Sequence, residues 1–498
     1  MASPSTQTQA SSGTLIGRLF QPVDGLWLAW FRVSYGVTLL YWARHYLSSN
    51  VFEQYYELPR YHFPYFGFEW VQALSPDNMT RLFVAIQVLS VLVILGVMYR
   101  VSSLLLGLAF CYVFLVDRAF YQNHYYLLSL IGLILPWLPC HRTWSIDAWI
   151  RPGSAGRRVP AWSLYLLRFL VAVPYIYGGI AKINFDWLAG QPMRMVLSGL
   201  DWHPVIGPWV NQEWLVMSFV WGGLLFDLLI VPAIVWKRTR LVALAASLVF
   251  HLMNATMFHI GVFPWFMIAA TLILLPTDSI PRMLRRSIPT ADDWQLPAQW
   301  WQRTVVTVLA LLVVFQLVWP FRHHVMAGDV NWNEHGHYFS WRMKLRGKTS
   351  ALRFEAYDPA TGALDWVNPQ RWLTDFQVNR MARDPRMVHD FARFLQLQYL
   401  DQGYPQTQIR ALVLVSLNGR KPQLMIDPKV DLGSLPSSWT APTFVVPLKE
   451  PLRHDAWDEP RMYWSRHLPE KYQQLPKASE RDAERAVTAK VQDAVVAP

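Results

Sequence analysis

With 498 residues, 53% of them hydrophobic, only 16% charged and 26 of them tryptophan, the chain is too apolar for a water-soluble protein and reads as a polytopic membrane protein. Its formal net charge of +11 is not laid out as a basic and aromatic binding pattern, so no nucleic-acid partner is expected. Two cysteines without CxxC spacing exclude a disulfide framework and point away from thiol or Cys-based metal chemistry.

Residues 1–20 are polar, rich in Ser and Thr, and hold one basic residue, Arg18. They lack a signal-peptide pattern and are expected to form a disordered cytoplasmic N-terminus. Residues 21–320 read as a helical transmembrane domain of about nine spans, near 26–47, 79–99, 101–118, 122–139, 162–183, 213–236, 241–257, 258–276 and 304–320. Threaded with the N-terminus inside, the inner segments carry twelve Lys and Arg: Arg18, Arg100, Arg142, Arg151, Arg157, Arg158, Lys237, Arg238, Arg240, Arg282, Arg285 and Arg286. The outer loops carry three, Arg60, Arg118 and Arg194, which supports that orientation and places the rest of the chain outside.

Tyr175-Ile176-Tyr177-Gly178-Gly179-Ile180-Ala181-Lys182 ends the fifth span. Spacing of three and four puts Tyr175, Gly178, Gly179 and Lys182 on one helix face, with room for a flat ligand. On the threading, Lys182, His124, His251, Asn254, His259 and the Arg322-His323-His324 group all lie toward the outer face. Each has a plainer explanation taken alone: a snorkelling lysine, an interfacial or core histidine, a membrane-exit anchor. Together they describe an outward-facing polar chamber, in which a desolvated lysine can act as a base and a histidine can donate to a developing anion.

Residues 321–450 read as an extracytoplasmic α+β domain and 451–498 as a charged tail, either a surface helix or disorder. His335-Gly336-His337 beside Glu334 lacks a third ligand at metal spacing, and no metal is expected. Strands are expected at Leu352–Tyr357 and Leu364–Val367, a helical stretch over Thr374–Leu400, and a hairpin of Ala411–Leu417 and Gln423–Ile426 around Asn418-Gly419.

Several stretches, in order, resemble the vitamin K-dependent gamma-glutamyl carboxylases. They include Asp24-Gly25-Leu26, Tyr112-Val113-Phe114-Leu115-Val116-Asp117, Asn123-His124-Tyr125-Tyr126-Leu127, Trp144-Ser145-Ile146-Asp147, and Gly179-Ile180-Ala181-Lys182 with Asp186-Trp187. Further on come Phe250-His251-Leu252-Met253-Asn254, Ser340-Trp341, Val367-Asn368-Pro369 and Ile426-Asp427-Pro428-Lys429-Val430-Asp431. The resemblance implies an integral membrane enzyme that takes reduced vitamin K (the hydroquinone, a membrane quinol) as cosubstrate and uses O2 to make the epoxide. The base so generated removes a γ-proton from glutamate in a peptide or protein substrate, and CO2 adds to the carbanion. It implies Lys182 and His124 as catalytic residues. The substrate- and quinol-binding candidates are Asn123, Tyr175, Gly178, Gly179, His251, Asn254, His259, Trp332, Ser340 and Trp341.

A bacterial-type homologue would sit in the inner membrane, in contact with the lipid bilayer and with its C-terminal domain in the periplasm. This chain is shorter than the animal enzymes, lacks their cysteines, and has His335 and His337 where they have other residues. Two rivals remain: a quinol epoxidase that carboxylates nothing, and a proton-coupled transporter. The transporter predicts polar groups through the whole membrane depth and an internal repeat. Here Arg32 and Arg168 are the main charges toward the inner side, the rest gather outside, and no repeat is evident.

Overall fold

The computed structural model describes residues 14–151, 156, 158–258, 260–279, 296–438, 442–468 and 470. The helices that build the bundle are α1 (Leu15–Phe20), α2 (Leu26–Leu47), α3 (Pro76–Leu95), α4 (Tyr99–Val116), α5 (Asn123–Ile134), α6 (Ala161–Lys182), α7 (Glu213–Val235), α8 (Arg240–Phe258), α9 (Phe263–Thr271) and α10 (Gln299–Val318), with shorter helical turns between some of them. After them come strand β1 (Lys348–Tyr357), strand β2 (Leu364–Val367), helix α11 (Asp375–Met381), helix α12 (Pro385–Asp401), strand β3 (Gln408–Leu417) and strand β4 (Gln423–Leu424).

All nine expected spans contain a helix, but among the described residues only six helices (α3, α4, α6, α7, α8 and α10) are long and apolar enough to cross a bilayer. The protein is an integral membrane protein on that ground. The other three have identifiable departures. Helix α2 is 22 residues long but carries Arg32, Arg44 and His45, while α5 has 12 residues and α9 has 9. These three supply the middle of the bundle rather than its rim. Leu28, Phe31, Tyr35 and Trp42 of α2, Leu127 and Ile131 of α5, and Phe266 and Met267 of α9 share one core.

Arg32 is buried and donates to the carbonyls of Cys140 at 2.9 Å and Ile94 at 3.2 Å. Arg32 therefore ties α2 to the C-terminal turn of α3 and to the loop at Cys140. The N-terminal disorder expected for residues 1–20 does not extend to α1, which Thr14 caps by accepting from the Gly17 amide at 3.1 Å.

The C-terminal domain is a four-stranded antiparallel sheet in the order β2-β1-β3-β4. The 374–400 helical stretch is broken in two by Pro385, which sits at the first helical turn of α12 behind the Asp384 cap. Met387, Val388, Phe391, Ala392 and Leu395 form the apolar stripe of α12 and pack on Phe354, Val413 and Val415 of the sheet. The opposite sheet face is covered as well. The segment after 450, expected to be a surface helix or disorder, brings Trp464 and Leu468 onto Leu412 and Leu414.

Among the polar contacts that dock this domain on the bundle, three run through carboxylates. Arg420 forks onto Asp186 at 2.6 and 2.8 Å, with Asn418 Nδ2 donating to the same carboxylate at 2.8 Å. Asp117 accepts from Gln377 at 2.8 Å and faces His62 Nδ1 at 3.1 Å. Arg118 pairs with Asp390.

Candidate active site

Lys182 is the last residue of α6, and Asp227 lies in the middle of α7 within Leu224-Leu225-Phe226-Asp227-Leu228-Leu229. Both side chains are buried, and Lys182 Nζ donates to Asp227 Oδ2. Its other acceptor among the described residues is the Gly178 carbonyl, one helical turn back at 3.3 Å. The ammonium also sits 5.3 Å from the Trp187 ring centroid. An ammonium has three N–H groups, and two acceptors for them stand among the described residues, while Lys182 also lines the cavity.

The two glycines before Lys182 explain how the pair forms. A Cβ on Gly179 would lie 2.6 Å from Leu228 Cδ2 and 3.1 Å from its backbone nitrogen. A Cβ on Gly178 would lie 3.0 Å from Asp227 Oδ2. Gly178 and Gly179 thus let α6 approach α7 closely and are not walls of the cavity. The expected ligand-sized gap on that helix face is filled by α7.

A cavity of about 990 Å³ extends from this pair up into the C-terminal domain. Of the residues singled out in the sequence, Lys182, His124, Asn123, Tyr175, His251 and Asn254 line it. His124, near the start of α5, stacks on Phe263 with ring centroids 5.0 Å apart. His251 on α8 faces the Tyr175 hydroxyl through Nε2 at 2.7 Å, and that hydroxyl meets Thr271 Oγ1 at 2.9 Å. The other ring nitrogen, Nδ1, is buried and has no partner among the described residues. Asn123 bridges the layers: Nδ2 donates to the Arg342 carbonyl at 3.0 Å and Oδ1 accepts from Tyr121 at 3.0 Å.

Trp332, Ser340 and Trp341 lie behind the cavity rather than in its wall. Trp332 Nε1 donates to the Val446 carbonyl at 2.7 Å. Ser340 accepts from Arg322 at 2.8 Å and donates to the Gly336 carbonyl at 2.6 Å. Trp341 packs on Tyr126 with centroids 4.7 Å apart. His259 lies outside the described residues.

The upper wall is strongly cationic. It carries Arg118, Arg342, Lys344, Arg346, Lys348, Arg380 and Arg383 against Glu334 and Asp384. Glu334 serves two of the cations, accepting from Lys348 at 2.6 Å and Arg346 at 2.7 Å through Oε1. Burial, reinforced by the nearby Arg346, holds His337 well below the usual imidazole range. A neutral His337 then accepts from Arg346 at 3.1 Å. Burial, with Arg380 close by, pulls the Lys344 amine down to about 8, so near neutral pH it is a cation whose charge is poorly solvated. Among the described residues no group of three or more His, Cys, Asp or Glu is placed to hold a metal ion.

Sequence reasoning missed Asp227, although a single carboxylate within a Leu-rich span is a signal in its own right. It also missed the cationic rim, whose members reach the cavity from separate stretches of the chain.

Residues 20–278 match the family model described as HTTM domain. Residues 301–451 match the one described as vitamin K-dependent gamma-carboxylase, lumenal domain. The chain belongs to the vitamin K-dependent gamma-carboxylase family. The Lys182 and Asp227 pair lies in the part matched by the first family model, and the cationic rim, Arg118 apart, in the part matched by the second. The cavity is therefore built jointly by the two halves of the family's architecture. No solved structure matches the chain.

Proposed function

We propose that this protein oxidises vitamin K hydroquinone to the epoxide with O2 and uses the base so generated to carboxylate peptide glutamate. The balance is quinol plus O2 plus CO2 plus glutamyl residue giving epoxide, water and γ-carboxyglutamyl residue. The observation that carries this reading is the buried Lys182 and Asp227 pair at the base of a cavity whose upper rim is cationic. In this account Asp227 takes the lysine's proton, leaving Nζ as an amine able to accept one from the quinol hydroxyl. Proton transfer then forms the ammonium next to the quinolate it has just generated, and the pairing of the two opposite charges lowers the cost of forming them away from water.

His124 lines the same space and is the candidate for hydrogen-bonding the oxygen chemistry, while the apolar wall of Phe226, Phe250 and Phe263 takes the ring. The cations above draw in the glutamate carboxylate and hold it over the ring. The proposed setting is a bacterial inner membrane with the C-terminal domain in the periplasm. The test uses purified protein, the hydroquinone, labelled bicarbonate and a glutamate-rich peptide, with epoxide and fixed label followed separately. Epoxide together with label is the expected result. Epoxide without label limits the activity to quinol oxygenation, and neither product from folded protein overturns the reading.

A further inference from the structure

Two neighbouring helices present unusually small residues on the side of the cavity that faces the bilayer. On α7 these are Ser218 and Gly222, and on α8 they are Ala245 and Ala246, flanked by Val242 and Val249. Spacings of three and four keep each set on one helix face, and all six residues are exposed while also lining the cavity. Elsewhere in the middle of α7 the exposed residues are large and apolar, with Trp221, Leu225 and Leu229.

Gly222 has no packing reason to be glycine. A Cβ there would meet nothing within 4 Å, whereas glycine inside a helix costs about 1 kcal/mol relative to alanine. Its neighbour Gly223 faces inward, and a Cβ there would lie 3.6 Å from Trp187 Cζ2 and 3.8 Å from Lys182 Cε. Gly222, Gly223 and Lys182 all line the cavity, so the outer slot and the lysine stem border the same space. Deeper in the same cavity the buried His251 Nδ1 has no partner among the described residues, so the space ends at a polar atom waiting for a hydroxyl or carbonyl.

We propose that the crevice between α7 and α8 is a lateral portal through which a prenylated quinol enters from the bilayer, its ring passing to His251 and Lys182 while its apolar tail stays in the slot over Gly222. This rests on the quinol reading above and adds the route and the part of the molecule that is recognised. Bulk at Gly222 should exclude tailed quinols and spare tailless ones, since only the tail occupies the slot.

The experiment uses the full chain in phosphatidylcholine nanodiscs and a naphthoquinone whose isoprenoid tail carries a diazirine. After irradiation, labelled peptides are mapped by mass spectrometry. Label on residues 218–226 and 242–249 is expected, reduced about tenfold or more in Gly222→Trp, which corresponds to a binding loss of about 1.4 kcal/mol. Val84→Trp, on the lipid face of α3 and outside the cavity, should leave labelling unchanged. Gly222→Leu provides a milder block should the tryptophan impair folding. Undiminished labelling in folded Gly222 variants, or label confined to other helices, overturns the portal. Epoxide formation by the wild type is read in parallel. Slot labelling without epoxide keeps the portal and sinks the catalytic reading, and epoxide with labelling elsewhere does the reverse.

Discussion

The cavity contains two buried lysine and carboxylate pairs that differ in how completely they are satisfied. Lys348 donates to Glu334 Oε1 at 2.6 Å, to the Trp332 carbonyl at 2.6 Å and to the Arg383 carbonyl at 2.9 Å. Three N–H groups meet three acceptors, and Glu334 is further fixed by Arg346. Lys182 has Asp227 and a long bond to the Gly178 carbonyl. A lysine held by three acceptors cannot hand its proton about without losing bonds that hold the domain together. One with a vacant direction into a cavity can. Burial alone therefore does not mark a base, and the number of acceptors separates the structural lysine from the reactive one.

That contrast breaks first at Lys182. Lys182→Ala is expected to lower quinol oxidation by about a thousandfold or more, within the range of lost general-base catalysis, while its chromatographic profile in detergent stays that of the wild type. Lys348→Met should do the opposite kind of damage. It strands Glu334 in a buried site, costs about 3 kcal/mol of domain stability, and should show as a lower melting temperature and faster proteolysis of the C-terminal domain. Asp227→Asn keeps the shape of the lower pair and removes the proton acceptor, so kcat should fall about a hundredfold with little change in KM. An equal rise in KM would assign Asp227 to binding instead.

How much of this was readable in the sequence depends on which partner a residue needs. The Asn418-Gly419 turn was legible because its chemistry is local: both residues take positive φ, 52° and 74°, and strands β3 and β4 leave it as expected. The common end of the bundle shared by Lys182, His124 and His251 was legible from threading, since depth follows from counting residues along a span. Asp227 was not joined to Lys182, because periodicity gives the face of a helix but not the neighbour it meets. Gly178 and Gly179 were misread for the same reason, for a missing side chain can admit a ligand or another helix. The strap around Trp464 was hidden because its few apolar residues lie in a charged segment and become core only once the sheet's second face exists.

Smaller effects sharpen the comparison at the rim. Because burial and Arg380 bring Lys344 down to about 8, the ammonium that attracts a carboxylate is lost as pH rises through that value. Affinity for an acidic peptide should then weaken by up to about tenfold between pH 7 and pH 9, and Lys344→Met should flatten the profile in a fluorescence-anisotropy titration. Least affected should be Cys111→Ser, whose Sγ donates to the Ser129 carbonyl over a long 3.8 Å. His124→Ala should cost far more activity than this serine variant, and equal activity in the two would remove His124 from the site.

The most direct test of the central claim separates proton removal from everything that follows. Under argon, so that no oxygenation can occur, a naphthohydroquinone is bound to the protein near neutral pH and the absorbance of its anion is followed. The account predicts an anion band with the wild type that is absent with Lys182→Ala. The same band in the folded Lys182→Ala protein would contradict it.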